Sequence, residues 1–123
     1  TDISWSSAIN ATTTFQANDS IRIASYNAIG QTSSGAMGIF GHNTRVDGTT
    51  ANVLKAMNSS WPASFIKLYY DQGISFHVTS GNVTAGDTLL SGTGSNTHER
   101  MRIQNDGHIY DIVLLNYSMI SFH

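Results

Sequence analysis

Five histidines, eight carboxylates and a set of aromatic side chains are the residues of this chain that could do chemistry. The histidines are His42, His77, His98, His108 and His123. Structural zinc sites favour short spacings such as H-x3–5-H, and none occurs here. His98 and Glu99 are adjacent, so on a strand they point to opposite faces and form no site by themselves. A metal site would need symmetry, with one His or Asp near a threefold axis supplied by three copies. Ser, His and Asp are all present, but no G-x-S-x-G elbow places a nucleophile. Asp71 and Asp106 precede glycines at short range and read as turn formers, not as acid–base pairs. No D-x-D-x-D-G calcium loop appears. The glycines of Gly35-Ala36-Met37-Gly38-Ile39-Phe40-Gly41 lack the lysine and Ser/Thr of a phosphate loop, and read as close approaches between short strands. The chain is therefore expected to have no catalytic residues, no metal and no cofactor, and not to be an enzyme. Trp5, Trp61, Tyr69, Tyr70 and Tyr110 could stack on sugar rings, although packing in a core or interface is the preferred reading.

The elements that would position these groups are strands. Ser64–Tyr70 and Ile74–Thr79 alternate with period two around Asp71-Gln72-Gly73, which marks a hairpin. Ile66, Leu68 and Tyr70 share one face, and Ile74, Phe76 and Val78 share one face of the return strand. Phe65, Lys67 and Tyr69, with Ser75, His77 and Thr79, form an opposite amphipathic face that could meet a partner subunit or a ligand. Ser20–Tyr26 is a further alternating strand. Residues 50–58 have the spacing of a short helix or, equally, of a strand. Ser80–Asn96 reads as a loop with one short strand near Thr88-Leu89-Leu90. Residues 97–109 form a second hairpin, with Met101 and Ile103 alternating with Arg100 and Arg102 before the Asn105-Asp106-Gly107 turn. The apolar run 112–115 suits a strand buried on both faces.

Composition supports an all-β chain. Charged residues are only 11%, against about 25% in ordinary globular proteins. In their place stand 16 Ser, 13 Thr and 10 Asn. Faces rich in hydroxyls and amides can be buried at much lower cost than charged ones, so they suit subunit interfaces. The net charge of −2 gives no electrostatic case for nucleic acid or an anionic membrane. Cysteine is absent, which excludes disulfides and thiolate metal sites. No segment approaches the roughly 18 apolar residues that span a bilayer. No signal peptide is visible at Thr1-Asp2-Ile3-Ser4, which suits cytoplasmic synthesis.

Glu99-Arg100-Met101-Arg102-Ile103, followed after a short gap by Gly107-His108-Ile109, resembles a motif of fibre proteins of tailed bacteriophages. Leu68-Tyr69-Tyr70-Asp71-Gln72-Gly73-Ile74-Ser75-Phe76-His77 resembles the aromatic strand and the "ISFH" strand that precede it there. The likeness covers about residues 64–109. In the family the motif commonly runs on into "GIGT" and further repeats. This chain continues His108-Ile109-Tyr110-Asp111-Ile112, which argues for a compact subunit over a repetitive shaft.

The resemblance implies a structural virion protein on the capsid or tail exterior, made in the host cytoplasm. It implies a homotrimer whose partners are its own copies and a major capsid or tail protein. The expected fold is one β domain over 1–123, an antiparallel sandwich or jelly-roll-like domain, with 1–20 as an N-terminal arm. Met101, Ile103, Ile109, Ile112 and Leu114 are expected to hold the sheet and the assembly together. Arg100, Arg102, Trp61, Tyr69 and His77 are the candidate interface or ligand residues. The alternative is a carbohydrate-binding β-sandwich module or the receptor-binding tip of a fibre.

Overall fold

The alternation of apolar and polar residues resolves into ten strands and no helix in a computed structural model that describes residues 19–111 except Gly35 and Ser95. The strands are β1 (Asp19–Ile23), β2 (Asn27–Gln31), β3 (Gly38–His42), β4 (Thr44–Val46), β5 (Val53–Ala56), β6 (Ser64–Tyr69), β7 (Gly73–Val78), β8 (Thr88–Ser91), β9 (Glu99–Ile103) and β10 (Ile109–Asp111). Seven form one antiparallel sheet in the order β1-β2-β3-β6-β7-β9-β10, and β4-β5-β8 form a second. The small sheet packs on the large one, so the fold is a β-sandwich. The expected arm falls mostly outside the described residues, except that Asp19 and Ser20 belong to β1. Ile112 and Leu114 also lie outside them.

The two-way reading of residues 50–58 resolves as a strand. Asn52 takes a left-handed turn conformation, φ 58°, and β5 then pairs with both β4 and β8. Leu54 and Ala56 become fully buried between them. Cross-strand pairing of a short segment outweighs a helix this brief, which would be marginal on its own.

The chain passes between the two sheets at Asn43. This residue, with φ 53°, is the single link between β3 in one sheet and β4 in the other. Asn tolerates that conformation better than most residues. Its buried amide ties down the neighbouring loop: Oδ1 accepts from Asn58 N at 2.7 Å, and Nδ2 donates to Asn58 O at 3.1 Å and to Trp61 O and Pro62 O at 3.4 Å. The backbone N–H of Asn43 donates to Tyr26 O.

The β6–β7 hairpin closes at Tyr69↔Gly73. Gly73 has φ +76°, and a side chain there would run into the Ile103 carbonyl of the next strand but one in the chain. Glycine is thus required twice, by conformation and by space.

Between the sheets, Met37, Ile39, Val46, Leu54, Ala56, Phe65, Leu89 and Leu90 form the apolar core, with Tyr69 packed against its margin. Met101, Ile103 and Ile109 are not part of it. Met101 and Ile103 are half-buried and Ile109 is 67% exposed. Their side chains lie on the other face of the large sheet, so their expected role within the protomer core is corrected.

Candidate interaction surface

Residues directly opposite each other in paired strands share a face. The registers therefore define rows across the large sheet. One row runs Ile21–Ile29–Phe40–Ile66–Phe76–Met101 over six strands. The next runs Gly38–Leu68–Ile74–Ile103–Ile109. Val78 and Ile23 extend the patch on the other side. Six strands about 4.8 Å apart give the first row a width of roughly 24 Å.

This is the outer face. Ile21, Ile23, Ile29, Phe40, Leu68, Ile74, Val78 and Ile109 are each between 36% and 67% exposed. Phe40, Ile66, Phe76 and Val78 also line a shallow groove of about 280 Å³, whose polar margin is Asn27, His42 and Ser64. Scattered single apolar side chains are usual on a protein surface, whereas these are contiguous across several strands.

The inner face of the same strands is the polar one. Lys67, Ser75, His77, Thr79 and Glu99 are all buried. The loop after β8 supplies their partners. Lys67 Nζ donates to Thr93 O at 3.0 Å, Gly94 O at 3.1 Å and Gln72 Oε1 at 2.8 Å. Desolvation, reinforced by the nearby Arg102 and opposed by Glu99, pulls the Lys67 ammonium down to about 8. It still carries its charge at neutral pH. Arg102 donates to Glu99 Oε1 from Nε at 2.7 Å and from Nη2 at 2.6 Å.

A β-bulge makes that pairing possible. Phe76 pairs with Met101 but His77 pairs with Glu99, so Arg100 is an extra residue in β9. Strict alternation would put Glu99 on the apolar outer face beside Met101. The bulge turns Glu99 inward toward His77 and Arg102 while leaving Met101 outward. Arg100 itself is half-buried and donates to Thr97 O at 2.9 Å.

Ser75, His77 and Asn96 form a chain with the spacing of a nucleophile, base and orienter. His77 Nε2 lies 2.8 Å from Ser75 Oγ, and Nδ1 lies 2.9 Å from Asn96 Oδ1. Asn96 Nδ2 donates to Leu89 O at 2.8 Å, so its oxygen faces the imidazole. His77 therefore carries its proton on Nδ1 and accepts from the Ser75 hydroxyl. The ring stacks on Phe65 at 4.3 Å with 9° between planes. Ser75 and His77 are each 1% exposed. The three side chains satisfy one another in the buried interior and lock β7 to the β8–β9 loop.

Burial dominates the titration of His77. Desolvation lowers its pKa to about 4, with Lys67 and Arg102 adding to the effect and Asn96 and Glu99 opposing it. The unfolded chain binds this proton near 6.5, so between about 4 and 6.5 it holds more protons than the native state. Stability should be unaffected by His77 above that window and should fall as pH drops through it, by up to about 3 kcal/mol. Urea unfolding at a series of pH values checks this, because His77→Gln should flatten the slope between pH 6.5 and 4.

Of the five candidate interface or ligand residues, the structure leaves one with its side chain largely exposed. Trp61 is 51% exposed. His77 is sealed inside, a correction whose cause is the inward polar network just described. Arg102 pairs with Glu99, one of the two carboxylates its position suggests as partners, and does so inside the sandwich, with its side chain only 12% exposed. Tyr69 is half-buried at the core margin, and Arg100 is taken up by the bulge. The outer-face residues Ile29 and Phe40 were not singled out by sequence reading. Their signal was the single-face alternation of β2 and β3, diluted by the glycines around them. Among the described residues, no three His, Asp or Glu side chains converge as a metal site.

No protein-family model, curated protein or solved structure matches this chain.

Proposed function

We propose that this protein is a structural subunit of the exterior of a tailed-bacteriophage virion. It acts as a head-decoration or short-fibre subunit that stabilises by symmetric self-assembly, as a homotrimer bound to a major capsid or tail protein. The observation that carries the reading is the apolar outer face of the seven-stranded sheet. Covering the row from Ile21 to Met101 removes apolar surface from water at roughly 25 cal/mol per Å², and no charged side chain interrupts it. Copies of the same chain are the simplest cover for such a face, since closed homo-oligomers dominate soluble assemblies. The resemblance of residues 99–109 to fibre proteins supplies the virion setting.

Co-sedimentation tests that setting. Purified protein mixed with phage particles lacking it should pellet with them, saturably, and heads and tails tested separately identify the partner. Folded protein that pellets with neither would refute the virion assignment.

A further inference from the structure

We propose that one end of the large sheet carries a binding site for a neutral sugar ring, built on Tyr26, His42 and Trp61. The three come from separate segments: the β1–β2 turn, the end of β3, and the residue before Pro62 that bridges to Val83. Tyr26 and His42 stack at 5.7 Å with 23° between planes, and Trp61 meets Tyr26 edge-on at 5.9 Å. Yet Tyr26 is 38% exposed and Trp61 51% exposed. Aromatic surface that clusters without being buried fits a ligand that has an apolar flat side.

The backbone beneath the cluster is fixed. Asn43, fully buried, bonds the backbone of Tyr26, Asn58, Trp61 and Pro62, and it directly follows His42. A platform anchored from below loses little conformational freedom on binding. Neighbouring amides add polar recognition. Asn27 Oδ1 faces His42 Nδ1 at 3.2 Å. If that nitrogen donates, His42 Nε2 is left as an acceptor and Asn27 Nδ2 as a donor. The Tyr26 hydroxyl and Trp61 Nε1 have no protein partner among the described residues. No charged side chain bonds to Tyr26, Asn27, His42 or Trp61 there either. Arg22 donates to Ser25 O, beside Tyr26, at 3.3 Å and so lies at the margin of the cluster, while a pyranose offers C–H groups to the rings and hydroxyls to the amides. The site borders the proposed assembly face, because Asn27 and His42 are the polar margin of its groove, but it does not use Phe40, Phe76 or Met101.

The test is a titration of the 15N-labelled protein with maltohexaose, cellohexaose and a hexamer of N-acetylglucosamine. It is followed at the Trp61 indole N–H resonance, identified by its loss in Trp61→Ala. At least one sugar should shift that resonance saturably. Followed through the backbone resonances, Trp61→Ala and Tyr26→Ala should each weaken binding about tenfold or more. Both variants should keep the parent's melting temperature and solution mass, and Tyr70→Ala should bind like the parent. The proposal is overturned if none of the three sugars shifts the resonance up to its solubility limit. It is equally overturned if both variants, still folded, bind as tightly as the parent.

Discussion

Phe40→Asp is expected to leave the β-sandwich folded and to abolish its self-association. Phe40 sits in the middle of the outer row, between Ile29 and Ile66, and is already 48% exposed in the protomer. Its replacement removes little buried area and puts a carboxylate where water can reach it. The cost to the protomer is about 1–2 kcal/mol, most of it lost cross-strand packing and strand propensity. In an assembly that covers this face the same carboxylate would be desolvated with no cation beside it. Association should then weaken by at least about a hundredfold. Met101→Asp, in the same row, should behave alike. Phe65→Asp, one register position along β6 from Ile66 but on the inner face, should instead unfold the protomer, since Phe65 lies in the core between the sheets. Circular dichroism and light scattering on the three variants separate these outcomes. Loss of fold in Phe40→Asp would mean that the outer face holds the protomer itself together.

The second large effect belongs to Glu99. It is 1% exposed, and its Oε1 takes both contacts from Arg102. Glu99→Ala removes the buried carboxylate and leaves the inner face with Lys67 and Arg102 as its cations. Breaking a buried pair by deleting one partner costs about 3–5 kcal/mol, a large share of the 5–15 kcal/mol that keeps a domain folded. Glu99→Gln keeps an acceptor and should cost less. The urea midpoint reports both. A loss under about 1 kcal/mol in Glu99→Ala would show that the pair is not part of what holds β9 in place.

Both hairpins were legible in the sequence because turn chemistry and alternation agreed there. Asp71-Gln72-Gly73 and Asn105-Asp106-Gly107 sit between alternating runs, and the registers close at Tyr69↔Gly73 and Ile103↔Ile109. The sandwich class followed from the same signals. The choice of inner face was not legible. Counting apolar residues on β6 and β7 favours Ile66, Leu68, Ile74, Phe76 and Val78 as the core. The fold buries Lys67, Ser75 and His77 instead, because loop oxygens at Thr93, Gly94 and Asn96 meet them. Backbone carbonyls brought from a distant loop leave no trace in local periodicity. The bulge at Arg100 is equally silent, although it decides that Glu99 faces inward and Met101 outward. The aromatic cluster is a product of three segments joined by Asn43, and of its members only Trp61 could be named beforehand as a ring that stacks on a sugar.

The central claim is that the outer face of the large sheet is an interface between copies of this chain. Its most direct test is the solution mass by size-exclusion chromatography with light scattering, over a range of protein concentrations. A species near 40 kDa, three times the 13.3 kDa chain, that falls to a folded 13.3 kDa monomer in Phe40→Asp is the expected result. A parent protein that stays at 13.3 kDa at every concentration, with Phe40→Asp indistinguishable from it, would contradict the claim.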